Sequence, residues 1–152
     1  MAELQTDPPD IEQVYRDHRL TLVRLGFLLT GSREDSEDLV QSAFATASAH
    51  WYEIEQPLAY LKRAVVNQAS DLHERRARER GRPAAEGVTK IPEIDETWAI
   101  LQRLPHKQRM VVVLRFYEDL PLLEIARLLD RPPATVRSDL RRALGRLRKA
   151  LR

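Results

Sequence analysis

LLEIARLLDRPPATVRSDLRRALGRLRKALR, residues 122–152, carries the densest pattern in the chain. Leu122 to Leu129 predicts two turns of helix with Ile125, Ala126 and Leu129 turned inward. Asp130-Arg131-Pro132-Pro133 is a tight break. Ala134 to Arg152 predicts a long helix with Val136, Leu140, Ala143, Leu144, Leu147 and Leu151 along one side. Short helix, turn and longer helix make the helix-turn-helix layout. Ala126 is small enough for two helices to cross closely, and Val136, ten residues on, plugs the second helix into the same core. In that layout the second helix enters a DNA major groove and offers its first turns to base edges. Its exposed positions are expected to be Thr135, Arg137, Ser138, Arg141, Arg142, Arg146, Arg148 and Lys149. Guanidinium groups there can pair with phosphates or bidentately with guanine.

Upstream, Ile94, Trp98, Leu101 and Leu104 predict a short helix halted by Pro105. Pro105 to Tyr117 predicts another, with Met110, Val111, Val113, Leu114 and Tyr117 turned inward. Before these, HERRARERGRPAAEGVTK (residues 73–90) has charge, Gly and Pro without apolar periodicity, and reads as a tether.

The front of the chain repeats the helical theme. Ile11, Val14, Tyr15, His18, Leu22, Leu25, Leu28 and Leu29 form one buried stripe, ended by Thr30-Gly31. A second helix starts near Ser32 or Ser36, with acids in its first turn, and carries Leu39, Val40, Ala43, Phe44 and Ala47 inward. His50 to Gln56 reads as an aromatic loop, and Pro57 opens a third helix bearing Leu58, Leu61, Ala64, Val65, Ala69 and Leu72. The expected fold is all-α: two small helical domains joined by a flexible linker. A disordered leader spans 1–10, the N-terminal unit 11–75, the linker 76–92 and the C-terminal unit 93–152.

Composition narrows the function. The 152 residues contain no Cys, and four scattered His form no ligand pair, so thiol chemistry and a metal site are not expected. No phosphate loop or nucleophile–base spacing supports an enzyme, and no cofactor is expected. The longest aliphatic run, Val111 to Leu114, is too short to span a bilayer, and the polar, acidic start is not a secretory signal. A soluble cytoplasmic protein without membrane insertion is expected. The net charge of +2 conceals an asymmetry: residues 1–72 hold 6 basic and 12 acidic side chains, whereas 131–152 hold eight basic and one acidic, Asp139. Such a basic tail suits a polyanion.

LPHKQRMVVVLRFYEDLPLLEIARLLDRPPATVRSDLRRALGRLRKAL resembles the C-terminal domain of extracytoplasmic-function (group IV) sigma factors of bacterial RNA polymerase. LVRLGFLLTGSREDSEDLVQSAFATASAHW and PLAYLKRAVVNQASDLHERR resemble the N-terminal sigma domain, especially of the sigma-E-like actinobacterial subgroup. The resemblance implies a non-catalytic subunit that binds core polymerase, recognises −10 and −35 promoter elements and initiates transcription of a stress- or signal-responsive regulon. It implies core polymerase as partner, through the clamp helices of the largest subunit and the flap, with promoter DNA as the second partner. Docking on the clamp would fall to Asp35, Glu37, Asp38, Leu39, Gln41 and Phe44, where acids steer and apolar groups are buried. Recognition of the −10 element and melting would fall to Trp51, Tyr52, Tyr60, Lys62, Arg63, Asn67, Asp71 and Arg75, since aromatic faces, amides and cations hold an unstacked base and its phosphate. Upstream recognition would fall to Thr135, Arg137, Ser138, Asp139, Arg141, Arg142 and Arg146.

Two departures from the family pattern stand out. Pro121 replaces the usual capping Ser or Thr, and Asp139 stands where many relatives have Arg, as an acid that could accept from cytosine N4. Leu122 and Leu123 offer an apolar patch for a partner such as an anti-sigma protein. Two competing readings are a stand-alone helix-turn-helix regulator and a sigma mimic that titrates an anti-sigma factor. The first leaves the acidic helix and aromatic loop idle, and the second sits badly with the retained basic residues.

Overall fold

A computed structural model describes residues 9–79 and 95–151, with side chains at 95–97 left aside. Seven α-helices occur among the described residues, and no strand: α1 (Ile11–Thr30), α2 (Arg33–Ser48), α3 (Pro57–Arg78), α4 (Asp95–Leu101), α5 (His106–Val112), α6 (Leu122–Leu129) and α7 (Pro133–Ala150). A 3-10 turn, Trp51–Glu53, separates α2 from α3, and a π turn, Val113–Tyr117, continues α5.

Local chemistry accounts for the ends. Gly31 stops α1 in the left-handed conformation at φ +76°, returning its N–H to the Phe27 carbonyl. Ser32, of the two starts the sequence allowed, is the N-cap of α2, its hydroxyl accepting from the Asp35 N–H. Pro57 occupies the first turn of α3, where no N–H is missed. Helix α3 continues to Arg78, past the expected boundary at 75 and into the stretch read as tether. Its His73 packs at an interface that sequence periodicity does not reveal. The rest of the expected linker, from residue 80, lies outside the described residues, as does the leader up to residue 8. Pro9 and Asp10, expected to fray, are tied down: the Trp51 indole N–H donates to the Pro9 carbonyl at 2.9 Å, and Asp10 accepts from the Val14 N–H.

Helices α1, α2 and α3 pack as one three-helix unit. The α1–α2 crossing is close because Gly26 leaves room for Ser36, whose hydroxyl donates to the Val23 carbonyl. Helices α5, α6 and α7 form a second unit, with Met110, Val111, Leu114, Ile125, Val136 and Ala143 fully enclosed. Tyr117, expected inside, is partly exposed at the end of the π turn. Leu144 and Leu151 are also exposed, because the neighbours of α7 cover only the face of Val136, Leu140, Ala143 and Leu147.

The two units share one core. From Leu22 onward α1 is buried almost all round, including Val23 and Phe27, which lie off the predicted stripe. The second unit supplies the missing cover. The Trp98 ring lies against Gly31, where an added Cβ would meet the indole at 2.6 Å, and is tilted on Phe27 at 5.2 Å between centroids. The Arg109 guanidinium sits 4.6 Å over the Trp98 ring, donating to the carbonyls of Leu101 and Leu104. Burial lowers its pKa to about 10, so it stays charged at neutral pH.

His73 and His106 stack across the same boundary, ring centroids 3.9 Å apart. The His73 Nε2–H donates to the Leu29 carbonyl at 2.7 Å, satisfying an end carbonyl of α1. Burial lowers both pKa values, that of His106 to about 4, with the nearby Arg109 and Arg76 adding to the effect. A histidine whose folded pKa is depressed stabilises fully above its unfolded value of about 6.5 and loses that contribution as pH falls through the folded one. Thermal stability should therefore decline between about pH 6.5 and pH 4, and His106→Gln should flatten the decline. Melting temperatures across that range test both expectations.

Candidate functional site

Three solvent faces on three helices carry the side chains singled out by sequence. On α7, Thr135, Arg137, Arg141, Arg142 and Arg146 are exposed and Ser138 is half-buried. Arg137 and Arg141 share one row, and Thr135, Ser138 and Arg142 the adjoining one, at three- and four-residue spacings. The helix opens on Pro132-Pro133, so free N–H groups of its first turn add positive potential at the leading end.

Asp139 does not belong to this face. It is 8% exposed and turned inward, its carboxylate 3.7 Å from the Arg131 guanidinium. Arg131 also reaches the Lys107 carbonyl, and its N–H closes the end of α6 on the Ala126 carbonyl, after Asp130 turns left-handed at φ +52°. Burial lowers the Arg131 pKa, while Asp139 opposes the shift. The acid thus holds the turn between α6 and α7, and an Arg at this position would meet Arg131. The reading of Asp139 as a contact to cytosine is corrected accordingly. The capping loss expected at Pro121 is met by its backbone, whose carbonyl accepts from the N–H groups of Glu124 and Ile125.

On α3, Arg63, Asn67, Asp71 and Arg75 repeat every four residues as an exposed row. No ion pair joins Asp71 to Arg75 among the described residues. Tyr60 is half-buried, its hydroxyl 3.1 Å from His50 Nε2. Lys62 pairs with Glu118 of the second unit at 3.0 Å. Tyr52 is 84% exposed, whereas Trp51 is 4% exposed and anchored by its bond to Pro9. Trp51 is therefore a pedestal that holds out Tyr52, and its candidacy as a base platform is withdrawn.

On α2, Asp38 and Gln41 are exposed and Leu39 is partly buried. Glu37 is half-exposed between Arg33 at 3.1 Å and Arg19 at 3.7 Å. Two expected docking residues are held by partners within the chain. Phe44 is buried edge-on against Tyr15, centroids 5.0 Å apart. Asp35 is gripped bidentately by Arg76, at 2.7 and 3.0 Å, a bond that raises the arginine pKa. Sequence reasoning missed Arg76, because its partner lies 41 positions away with no periodic signal between them. A shallow groove of about 450 Å³, lined by Ile11, Tyr15, Gln41, Phe44 and Ala45, adjoins the Asp38–Gln41 face.

Two family profiles match this chain: Sigma-70 region 2 over residues 14–79, and Sigma-70 region 4 over residues 94–147. The chain belongs to the sigma-70 family. Among its relatives, RNA polymerase sigma-E factor of Streptomyces coelicolor is 33% identical, across 93% of this chain and 86% of that one. ECF RNA polymerase sigma factor SigM of Mycobacterium tuberculosis is 30% identical, across 99% and 81%. A solved structure of the sigma factor RpoE in complex with the anti-sigma factor NepR, from Bartonella quintana, has the same fold, with a TM-score of 0.66, 22% identity, and 93% and 96% of the two chains covered. The chain is an RNA polymerase sigma factor, with its region 2 in α1–α3 and its region 4 in α4–α7. No helix among the described residues of this sigma factor is long and apolar enough to cross a membrane.

Asp139→Ala should leave Arg131 half-buried without its counter-ion and cost about 1–2 kcal/mol of stability. Urea unfolding measures that loss. Promoter choice by the variant holoenzyme should stay unchanged, which separates a structural acid from a base reader.

Proposed function

We propose that the three faces divide the work of promoter-dependent initiation. The supporting observation is their segregation: an acidic, amide-bearing face on α2, a mixed aromatic and cationic face around Tyr52 and α3, and a basic face on α7. Asp38, Leu39 and Gln41, with Glu37 at the side, dock the clamp helices of core polymerase. Acids at the rim speed encounter, and the apolar groove beside them is buried on contact. Tyr52, Tyr60, Lys62, Arg63, Asn67, Asp71 and Arg75 take the −10 element, stacking on and hydrogen bonding to unpaired bases. Thr135, Arg137, Ser138, Arg141, Arg142 and Arg146 read the −35 element.

Catalysis in this reading belongs to the polymerase, and the cytoplasm is the compartment it implies. Leu123 is 60% exposed, while Leu122 packs against the core. The Leu123 side is where an anti-sigma protein or the polymerase flap would bind.

Co-elution with bacterial core polymerase on a sizing column tests the docking face. Stoichiometric co-elution is expected, lost in Asp38→Arg; a folded protein that elutes alone would overturn the assignment of α2. Arg141→Ala with Arg142→Ala should lower the salt dependence of holoenzyme binding to upstream DNA. The slope of log K against log salt should fall by about 1 for each phosphate contact removed.

A further inference from the structure

Two ties from outside the loop hold the short turn that carries Tyr52. Trp51 is buried, and its indole N–H donates to the Pro9 carbonyl at 2.9 Å, a bond between residues 42 positions apart. Pro9 is itself fixed, because the next residue, Asp10, caps α1 and its carbonyl accepts from the Val14 N–H. From α3, the Tyr60 hydroxyl and His50 Nε2 share a hydrogen bond of 3.1 Å, their rings edge to face at 5.5 Å between centroids. Inside the turn the N–H groups of Glu53 and Ile54 donate to the carbonyls of His50 and Trp51, and Ile54 packs against the core. Tyr52 follows the two tied residues directly. It is 84% exposed, more than any other large apolar or aromatic side chain among the described residues.

An exposed ring on a loose backbone gives up that freedom when a base stacks on it, and the loss subtracts from affinity. A ring whose backbone is ordered in advance avoids most of that loss. We infer that the Pro9 carbonyl and His50 are positioning groups for base capture: they hold the turn so that Tyr52 presents its face before any strand arrives. The inference rests on the assignment of Tyr52 to the −10 element. It adds to that element the residues just ahead of α1, which sequence reading placed in a leader. The Pro9 tie acts through Tyr52 rather than on the strand, so its effect is conditional on that ring being present.

The test uses the full chain assembled with core polymerase. The probe is a fluorescent single-stranded oligonucleotide selected from a random pool by the parent holoenzyme. Trp51→Phe removes the donor to Pro9 and keeps a buried ring, whereas His50→Ala removes the bond to Tyr60. Each should weaken probe binding about three- to tenfold, with His50→Gln restoring most of the loss. In a Tyr52→Ala background Trp51→Phe should cost nothing further, a signature that general loosening of the fold would not produce. In the free chain the backbone order parameter of Tyr52 should fall in Trp51→Phe and His50→Ala from a rigid parent value of about 0.85. Helical circular dichroism and co-elution with polymerase check folding and docking of each variant. Parent affinity in both Trp51→Phe and His50→Ala, or a Trp51→Phe loss that adds in full to that of Tyr52→Ala, overturns the inference. So does a mobile Tyr52 backbone in the parent chain. Parent affinity in Tyr52→Ala would overturn the assignment of Tyr52 to the −10 element instead, and the order parameters would still decide whether the two ties hold the turn.

Discussion

The seat of Trp98 at Gly31 holds the two halves of this sigma factor in one core. Gly31 must turn left-handed to end α1, and the same missing Cβ lets the indole ring lie against its backbone. Phe27 packs against the ring, and Arg109 covers it while taking the carbonyls of Leu101 and Leu104. The cation thus closes the end of α4 and lids the aromatic contact at once. Without this seat Phe27 would lose its cover, and the two helical units would lose part of their shared apolar boundary.

Charge is managed by pairing inside and segregation outside. Asp35 pairs with Arg76 across the first unit and Asp139 with Arg131 across the turn before α7, and each pair removes an ion from the outward face suggested by its neighbours in sequence. What remains in solvent is sorted by helix, with acids toward the start of α2 and arginines along α7. A partner approaching α7 meets a run of like charge, which favours orientation before contact.

Helix boundaries were legible because their signals are local: Gly31 after α1, Ser32 before α2, Pro57 in α3 and the Asp130–Pro133 break each act within a turn. The helix-turn-helix could be read from spacing alone, as could the exposed row on α7, whereas the row on α3 came from the family resemblance. The interface between units was not, since Trp98, His73, His106 and Arg109 meet partners far away in sequence, and only the apolar residues off the α1 stripe hinted at a second cover. Likewise Asp35, Phe44, Trp51 and Asp139 sit where their types suit a binding face. Their inward direction follows from contacts with Arg76, Tyr15, Pro9 and Arg131 that no local pattern announces.

The chain has two tryptophans, one in each family region. Trp51 gives its indole N–H to a backbone carbonyl, while the Trp98 indole N–H has no hydrogen-bond partner among the described residues and its ring lies under a guanidinium. The two rings therefore fluoresce from unlike surroundings: one fixed by a single polar bond, the other in an apolar seam next to a cation. Separating the units would wet the second ring, whereas the Trp51 bond to Pro9 lies within the first unit. The protein accordingly contains an internal optical gauge of its own arrangement, with a built-in reference in the half that does not change.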